Sequence, residues 1–121
     1  MKTCLVVDDS RVVRKVARRI LEELRFEVEE AEDGQQALEY CRQSLPEGVL
    51  LDWNMPVMDG LAFMKEMRKL PRGADVKVVF CTTRNELPSV QEALSEGADE
   101  YIMKPFDREM LESKFLQVGL L

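Results

Sequence analysis

Leu50-Leu51-Asp52-Trp53-Asn54-Met55-Pro56-Val57-Met58-Asp59-Gly60 is the stretch on which the architecture turns. Val49 to Leu51 is an apolar run short enough for a buried strand, and it ends on a carboxylate. Pro56 and the Asp59-Gly60 pair then mark a loop. Asp52 therefore sits where a buried strand opens into a loop. In an open α/β sheet that is the ligand-binding edge. A charge placed there needs partners or a metal, because desolvating it alone is costly.

Outward from this stretch the same punctuation recurs. Upstream, Cys4 to Val7 reads as a first strand ending in Asp8-Asp9-Ser10. Ser10 suits a helix N-cap, and Val13, Val16, Ala17, Ile20, Leu21 and Leu24 follow at helical spacing, predicting one apolar face. A short second strand centres on Val28, and Glu32-Asp33-Gly34 makes a turn. Ala37, Leu38, Cys41 and Leu45 predict a second helix, stopped by Pro46 and Gly48. Downstream, Leu61, Phe63, Met64 and Met67 predict a third helix ending near Pro71-Arg72-Gly73. Val76 to Cys81 is a fourth strand, followed by Thr82-Thr83. Val90, Ala93 and Leu94 predict a fourth helix closed by Gly97. Glu100 to Met103 is a fifth strand broken by Lys104-Pro105, and Met110, Leu111, Phe115 and Val118 predict a fifth helix. Such strand–helix alternation predicts an α/β fold, a parallel sheet with helices on both faces. With right-handed crossovers, the doubly wound order 2-1-3-4-5 is the expected one. Its switch point lies between the strands that end in Asp8-Asp9 and Asp52.

At 121 residues the chain is expected to be one domain, residues 1–121, with no linker, repeat or second domain. The net charge of −6 argues against general nucleic-acid binding, and no DNA or membrane partner is expected. Met1-Lys2 leads straight into a strand, so no signal peptide is expected. Three cysteines, Cys4, Cys41 and Cys81, are odd in number and widely spaced, which indicates neither a disulfide framework nor a zinc site. A reducing, cytoplasmic setting and a monomer are expected. Histidine is absent, which excludes His-based triads and phosphohistidine on this chain.

If the topology holds, Asp8, Asp9 and Asp52 converge on one edge. Three neighbouring carboxylates repel, so something must neutralise them. Lys104 leaves strand five on the same edge, and hard oxygen ligands select Mg²⁺ or Mn²⁺. Asp9 and Asp52 could ligate directly, with a main-chain carbonyl near Asn54. Thr82 offers a hydroxyl to the same space. Such an electrophilic cage suits phosphoryl transfer onto Asp52. Each piece alone has a plainer reading: a lone strand-end Asp is usually a cap, Lys-Pro a strand stop, Thr82-Thr83 a helix cap. Their coincidence at the ends of four strands favours the functional reading.

The motifs Leu5-Val6-Val7-Asp8-Asp9-Ser10, Glu30-Ala31-Glu32-Asp33-Gly34, Asp52-Trp53-Asn54-Met55-Pro56, Met58-Asp59-Gly60, Thr82 and Tyr101 through Lys104-Pro105-Phe106 cover the chain. Together they resemble a response-regulator receiver domain of the single-domain chemotaxis (CheY-like) type, with the flavodoxin-like fold. The resemblance implies that Asp52 is the phosphoacceptor and that Asp8 and Asp9 hold Mg²⁺ with Asp52 and the Asn54 carbonyl. It implies that Thr82 and Lys104 contact the phosphoryl group, and that Tyr101 is a rotameric switch reshaping the helix four–strand five–helix five face. It further implies a cis Lys104-Pro105 bond, and that Asn54 and Arg84 tune phosphoryl lifetime. The implied partners are a histidine kinase, the flagellar motor switch or another protein target, and a phosphatase. The chain would be a regulator rather than an enzyme. Arg25 stands where similar chains often carry glycine; a positive φ there would cost about 1 kcal/mol.

Arg11, Arg14, Lys15 and Arg18 fall on one face of helix one, with Arg19 near, and read first as a solvated face. The alternative is a dock for an acidic partner, which Val12, off the apolar stripe, fits weakly. A second signalling reading is a kinase or phosphorelay regulator, or a phosphate sink. A phosphatase using Asp52 as nucleophile is disfavoured, because Asn54 stands where haloacid-dehalogenase-type sites carry a second acid. A flavin-binding reading is disfavoured by the acidic loop after strand one.

Overall fold

A computed structural model describes residues 1–121. Strands and helices alternate as β1 Thr3–Val7, α1 Arg11–Glu23, β2 Glu27–Ala31, α2 Gly34–Gln43 and β3 Gly48–Asp52. They continue as α3 Gly60–Arg68, β4 Lys77–Thr82, α4 Val90–Ser95, β5 Glu100–Met103 and α5 Arg108–Val118. The five strands form one sheet in the order β2-β1-β3-β4-β5, and every neighbouring pair is parallel. The expected α/β architecture and its switch point between β1 and β3 are therefore present.

Alternation of side chains along the strands builds two cores. Leu5, Val7, Val49, Leu51, Val78 and Phe80 pack on one side against α2, α3 and α4. Cys4, Val6, Leu50, Val79, Cys81 and Ile102 pack on the other against α1 and α5. Both faces of the central strands are covered, which is why they read as unbroken apolar runs rather than alternating ones. Phe26 and Phe115 meet edge-to-face, with ring centroids 5.4 Å apart. Four helices start on side-chain caps: Ser10 accepts from the Val13 N–H, Asp33 from Gln36, Asp59 from Ala62 and Asp107 from Met110. Each cap contributes about 1 kcal/mol.

The elements depart from the sequence expectation in five places. On α1, Val16 is 39% exposed while Arg14 is buried at 8%. Leu45 lies beyond α2, which closes at Ser44, although it still packs on the core. β3 starts at Gly48, so this glycine is a strand residue and not the helix stop. A 3-10 helix over Arg84–Ser89 precedes α4 and contains Pro88, whose missing N–H a tight turn tolerates. Met110 is 38% exposed and contributes little to the core.

Arg25 has φ +71°, as the missing glycine foretold. Val57 also has φ +69°, and the Met58 N–H donates to the Pro56 carbonyl at 2.7 Å. The loop after β3 thus contains a tight three-residue turn centred on a β-branched residue, a strained arrangement. The Gly34 N–H donates to the Met58 carbonyl at 2.9 Å and ties this loop to the start of α2.

Candidate functional site

β1 runs into Asp8-Asp9 and β3 ends on Asp52. Parallel pairing sets Val7 beside Leu51, so the acids that follow arrive together. One carboxylate oxygen from each of Asp8, Asp9 and Asp52 lies within 4.8 Å of the other two. Asp8 and Asp52 are buried at 2% and 5% exposure, and Asp9 is exposed. Lys104 follows β5, and its Nζ donates to Asp8 Oδ2 and Asp52 Oδ1, both at 2.9 Å. Main-chain donors complete the cradle: the Trp53 N–H reaches Asp52 Oδ1 at 2.9 Å, and the Ser10 N–H reaches Asp8 Oδ1 at 2.8 Å. The Lys104-Pro105 bond is cis.

The electrostatics follow from that geometry. Burial pushes the Asp52 carboxyl up to about 6, and the Asp8 charge adds to the rise; the Lys104 ammonium and the Trp53 N–H oppose it. Burial alone would lower the Lys104 ammonium, but its hydrogen bonds to Asp8 and Asp52 outweigh that and raise it. One ammonium faces three acids, so ionised carboxylates leave a surplus of negative charge. The donors are all oxygen, close together and open on the Asp9 side. That set fits a hard divalent cation such as Mg²⁺, held by Asp8, Asp9 and Asp52.

The other predicted residues surround this cluster. Thr82 is the last residue of β4, beside the end of β3, where Asp52 pairs with Cys81. Its hydroxyl donates to the Thr83 carbonyl at 3.1 Å. Tyr101 is half-buried on β5 and lines a tight apolar pocket with Trp53, Phe80, Thr82, Val90 and Leu94. Lys114 Nζ lies 4.7 Å from the Tyr101 ring centroid, a cation–π contact. The Asn54 side chain turns to the opposite loop, where its Nδ2 donates to Glu86 Oε2 at 2.6 Å. Arg84 is exposed at the start of the 3-10 helix.

The basic face of α1 is not the uniform solvated face expected. Arg14 Nη1 donates to the Asp8 carbonyl at 2.7 Å, and its Nε donates to Glu30 Oε1 at 3.0 Å. Arg18 takes the other Glu30 oxygen at 2.6 Å and also pairs with Glu22. Hydrogen bonds from both arginines hold the Glu30 carboxyl below its ordinary value, against its burial. Only Arg11, Lys15 and Arg19 stand exposed without an ion-pair partner. Beside them, Val12, Val13, Val16, Pro105 and Phe106 line an open groove of about 400 Å³ that reaches Lys104. The burial of Arg14 and the bridging role of Glu86 escaped the sequence reading. Arg14's partner lies on another strand, but Thr83-x-x-Glu86 is a visible capping pattern.

Comparison with known proteins agrees with this geometry. The family model of the response regulator receiver domain matches residues 4–116. The chain is 38% identical over 108 residues to the chemotaxis protein CheY of Halobacterium salinarum, covering 88% of each. Among solved structures it is similar to the chemotaxis response regulator CheY4 of Vibrio cholerae, with TM-score 0.91 and 32% identity over 98% of both chains. It is also similar to the receiver domain of the sensor histidine kinase PA1611 from Pseudomonas aeruginosa, solved with a magnesium ion coordinated in its active site cleft. That likeness has TM-score 0.88 and 27% identity over 98% of both chains. The chain spans 46% of the response regulator MprA of Mycolicibacterium vanbaalenii, to which it is 39% identical over 107 residues. A paired acidic turn, a strand-end aspartate, a threonine and a lysine thus meet in a chain that belongs to the response regulator receiver domain family, of the CheY-like chemotaxis type.

Proposed function

We propose that this chain is a single receiver domain that accepts a phosphoryl group on Asp52 from a partner histidine kinase. The observation that carries the reading is Lys104 bridging Asp8 and Asp52 at 2.9 Å beside Asp9. In the transfer, the phosphorus–nitrogen bond of the donor breaks and a bond forms from phosphorus to an Asp52 oxygen. Lys104 and the Thr82 hydroxyl donate to the phosphoryl oxygens, and the Trp53 N–H holds the Asp52 carboxylate in place. Asp8, Asp9, Asp52 and the Asn54 main-chain carbonyl would hold Mg²⁺, which would supply charge neutralisation at the phosphoryl oxygens. Asn54 and Arg84 border this space and would govern the lifetime of the phosphoryl group.

Phosphorylation adds charge and acceptor oxygens, and the conformer that binds them best becomes populated. Tyr101 is the switch in this reading: it shares one apolar pocket with Thr82 and faces α4 and α5. The α4–β5–α5 face would then bind a protein target, and the chemotaxis relatives favour the flagellar motor switch. The kinase would dock on the groove of Val12, Val16 and Phe106, which opens onto Lys104. No helix is long and apolar enough to cross a membrane, and the three free, buried cysteines suit a cytoplasmic setting.

The test uses acetyl phosphate as a small donor. With Mg²⁺, the intact protein gains the mass of one phosphoryl group; without Mg²⁺, or as Asp52→Asn, it does not. Labelling that persists in Asp52→Asn overturns the reading.

A further inference from the structure

The two loops that flank the mouth of the site are joined by one side chain. Glu86 Oε2 accepts from Asn54 Nδ2 at 2.6 Å, on the loop after β3. Glu86 Oε1 accepts from the Thr83 N–H at 3.0 Å, immediately after β4. The Glu86 N–H itself donates to the Thr83 carbonyl at 3.0 Å. That same carbonyl accepts the Thr82 hydroxyl at 3.1 Å. Thr82 is thus committed to Thr83, Thr83 is held on both its N–H and its C=O by Glu86, and Glu86 is anchored across the cleft on Asn54. Thr82 has to release the Thr83 carbonyl before its hydroxyl can serve a phosphoryl group on Asp52.

We propose that Glu86 is a positioning residue that latches the unphosphorylated site, holding Thr82 away from Asp52 through Thr83 and Asn54. The inference rests on the phosphoryl-acceptor reading above. A latch made only in the resting state lowers the energy of the reactant and not of the transition state. Breaking it speeds phosphorylation. It leaves hydrolysis of the phosphorylated form alone, because the latch is already open there. A carboxylate that accepts two hydrogen bonds near the surface is worth about a fivefold rate change.

The experiment follows Trp53 fluorescence as the protein is phosphorylated by acetyl phosphate at saturating Mg²⁺. Trp53 is the only tryptophan and adjoins Asp52. Glu86→Ala is expected to raise the phosphorylation rate about fivefold while the half-life of the phosphoryl group after donor removal stays within about twofold. In an Asn54→Ala background, Glu86→Ala is expected to add little, because the anchor is already gone. Glu86→Gln keeps the side-chain size and one acceptor oxygen, so it tests the same direction should the alanine variant fold poorly. An unchanged or slower phosphorylation rate with a lowered Tm makes Glu86 a helix cap only and overturns the proposal. A wild-type protein that takes no label sinks the acceptor reading itself, a different outcome from a labelled wild type with indifferent variants.

Discussion

Acid should loosen a divalent cation from this protein along a curve that Asp52 sets. The cation takes only the ionised carboxylate, so a proton on Asp52 competes with it. Burial raises Asp52 to about 6, far above the ordinary carboxylate range. The apparent dissociation constant then scales as one plus the ratio of protonated to ionised Asp52. That factor is about 1.1 at pH 7, about 2 at pH 6 and about 11 at pH 5, a loss of about 1.4 kcal/mol over the last two units. A solvent-exposed aspartate would give a factor of only about 1.1 at pH 5, which is essentially flat. Mg²⁺ titrations read by Trp53 fluorescence at pH 5, 6, 7 and 8 measure the curve directly. Lys104→Met supplies a control with a stated sign: the donor that holds Asp52 down is gone, so the bend moves to higher pH. Less than a twofold change in affinity between pH 7 and pH 5 would refute the burial argument.

Three packing predictions accompany it. Val57→Asn should stabilise the protein by about 1 kcal/mol in urea unfolding, because asparagine tolerates φ +69° and the valine is 81% exposed, so no burial is lost. Gly60→Ala should cost more than about 3 kcal/mol, because its Cβ would sit 2.1 Å from the Asp52 carbonyl oxygen, a backbone atom that cannot swing aside. Mg²⁺ affinity should fall with it, since Asp52 must shift. Arg14→Met should cost about 2 kcal/mol: it leaves the Asp8 carbonyl without its side-chain donor and removes one of the two arginines on Glu30, which stays partly solvated. A Tm within 1 °C or so of wild type would show that Arg14 contributes no net stability.

The architecture was legible because its signals are local. Leu5-Val6-Val7, Val49-Leu50-Leu51 and Val78-Val79-Phe80 are buried on both faces, so each reads as a run without knowledge of its neighbours. The site was legible because a doubly wound sheet assigns every strand end to one edge, so Asp8, Asp52, Thr82 and Lys104 converge once the order is set. Reading failed where the deciding partner was remote. Arg14 sits inside because Glu30 waits on β2, 16 residues away, and a charge read by helical spacing alone looks solvated. Asn54 and Glu86 are 32 residues apart on different loops, and only the fold brings them within reach. The 3-10 helix ahead of α4 went unread because Pro88 interrupts the helical pattern there, although a tight turn tolerates it.

Strand parity has a last consequence. By alternation Asp52 projects on the side of Leu50, towards α1 and α5, whereas Thr82 projects with Phe80 towards α4. The ionic half of the pocket and the hydroxyl half are therefore rooted in separate hydrophobic layers that meet only at the rim. Substitutions accumulating beneath α1 can retune how the centre accepts charge while the opposite layer keeps its shape. Packing changes under α1 therefore act first on the carboxylates, and packing changes under α4 first on the threonine.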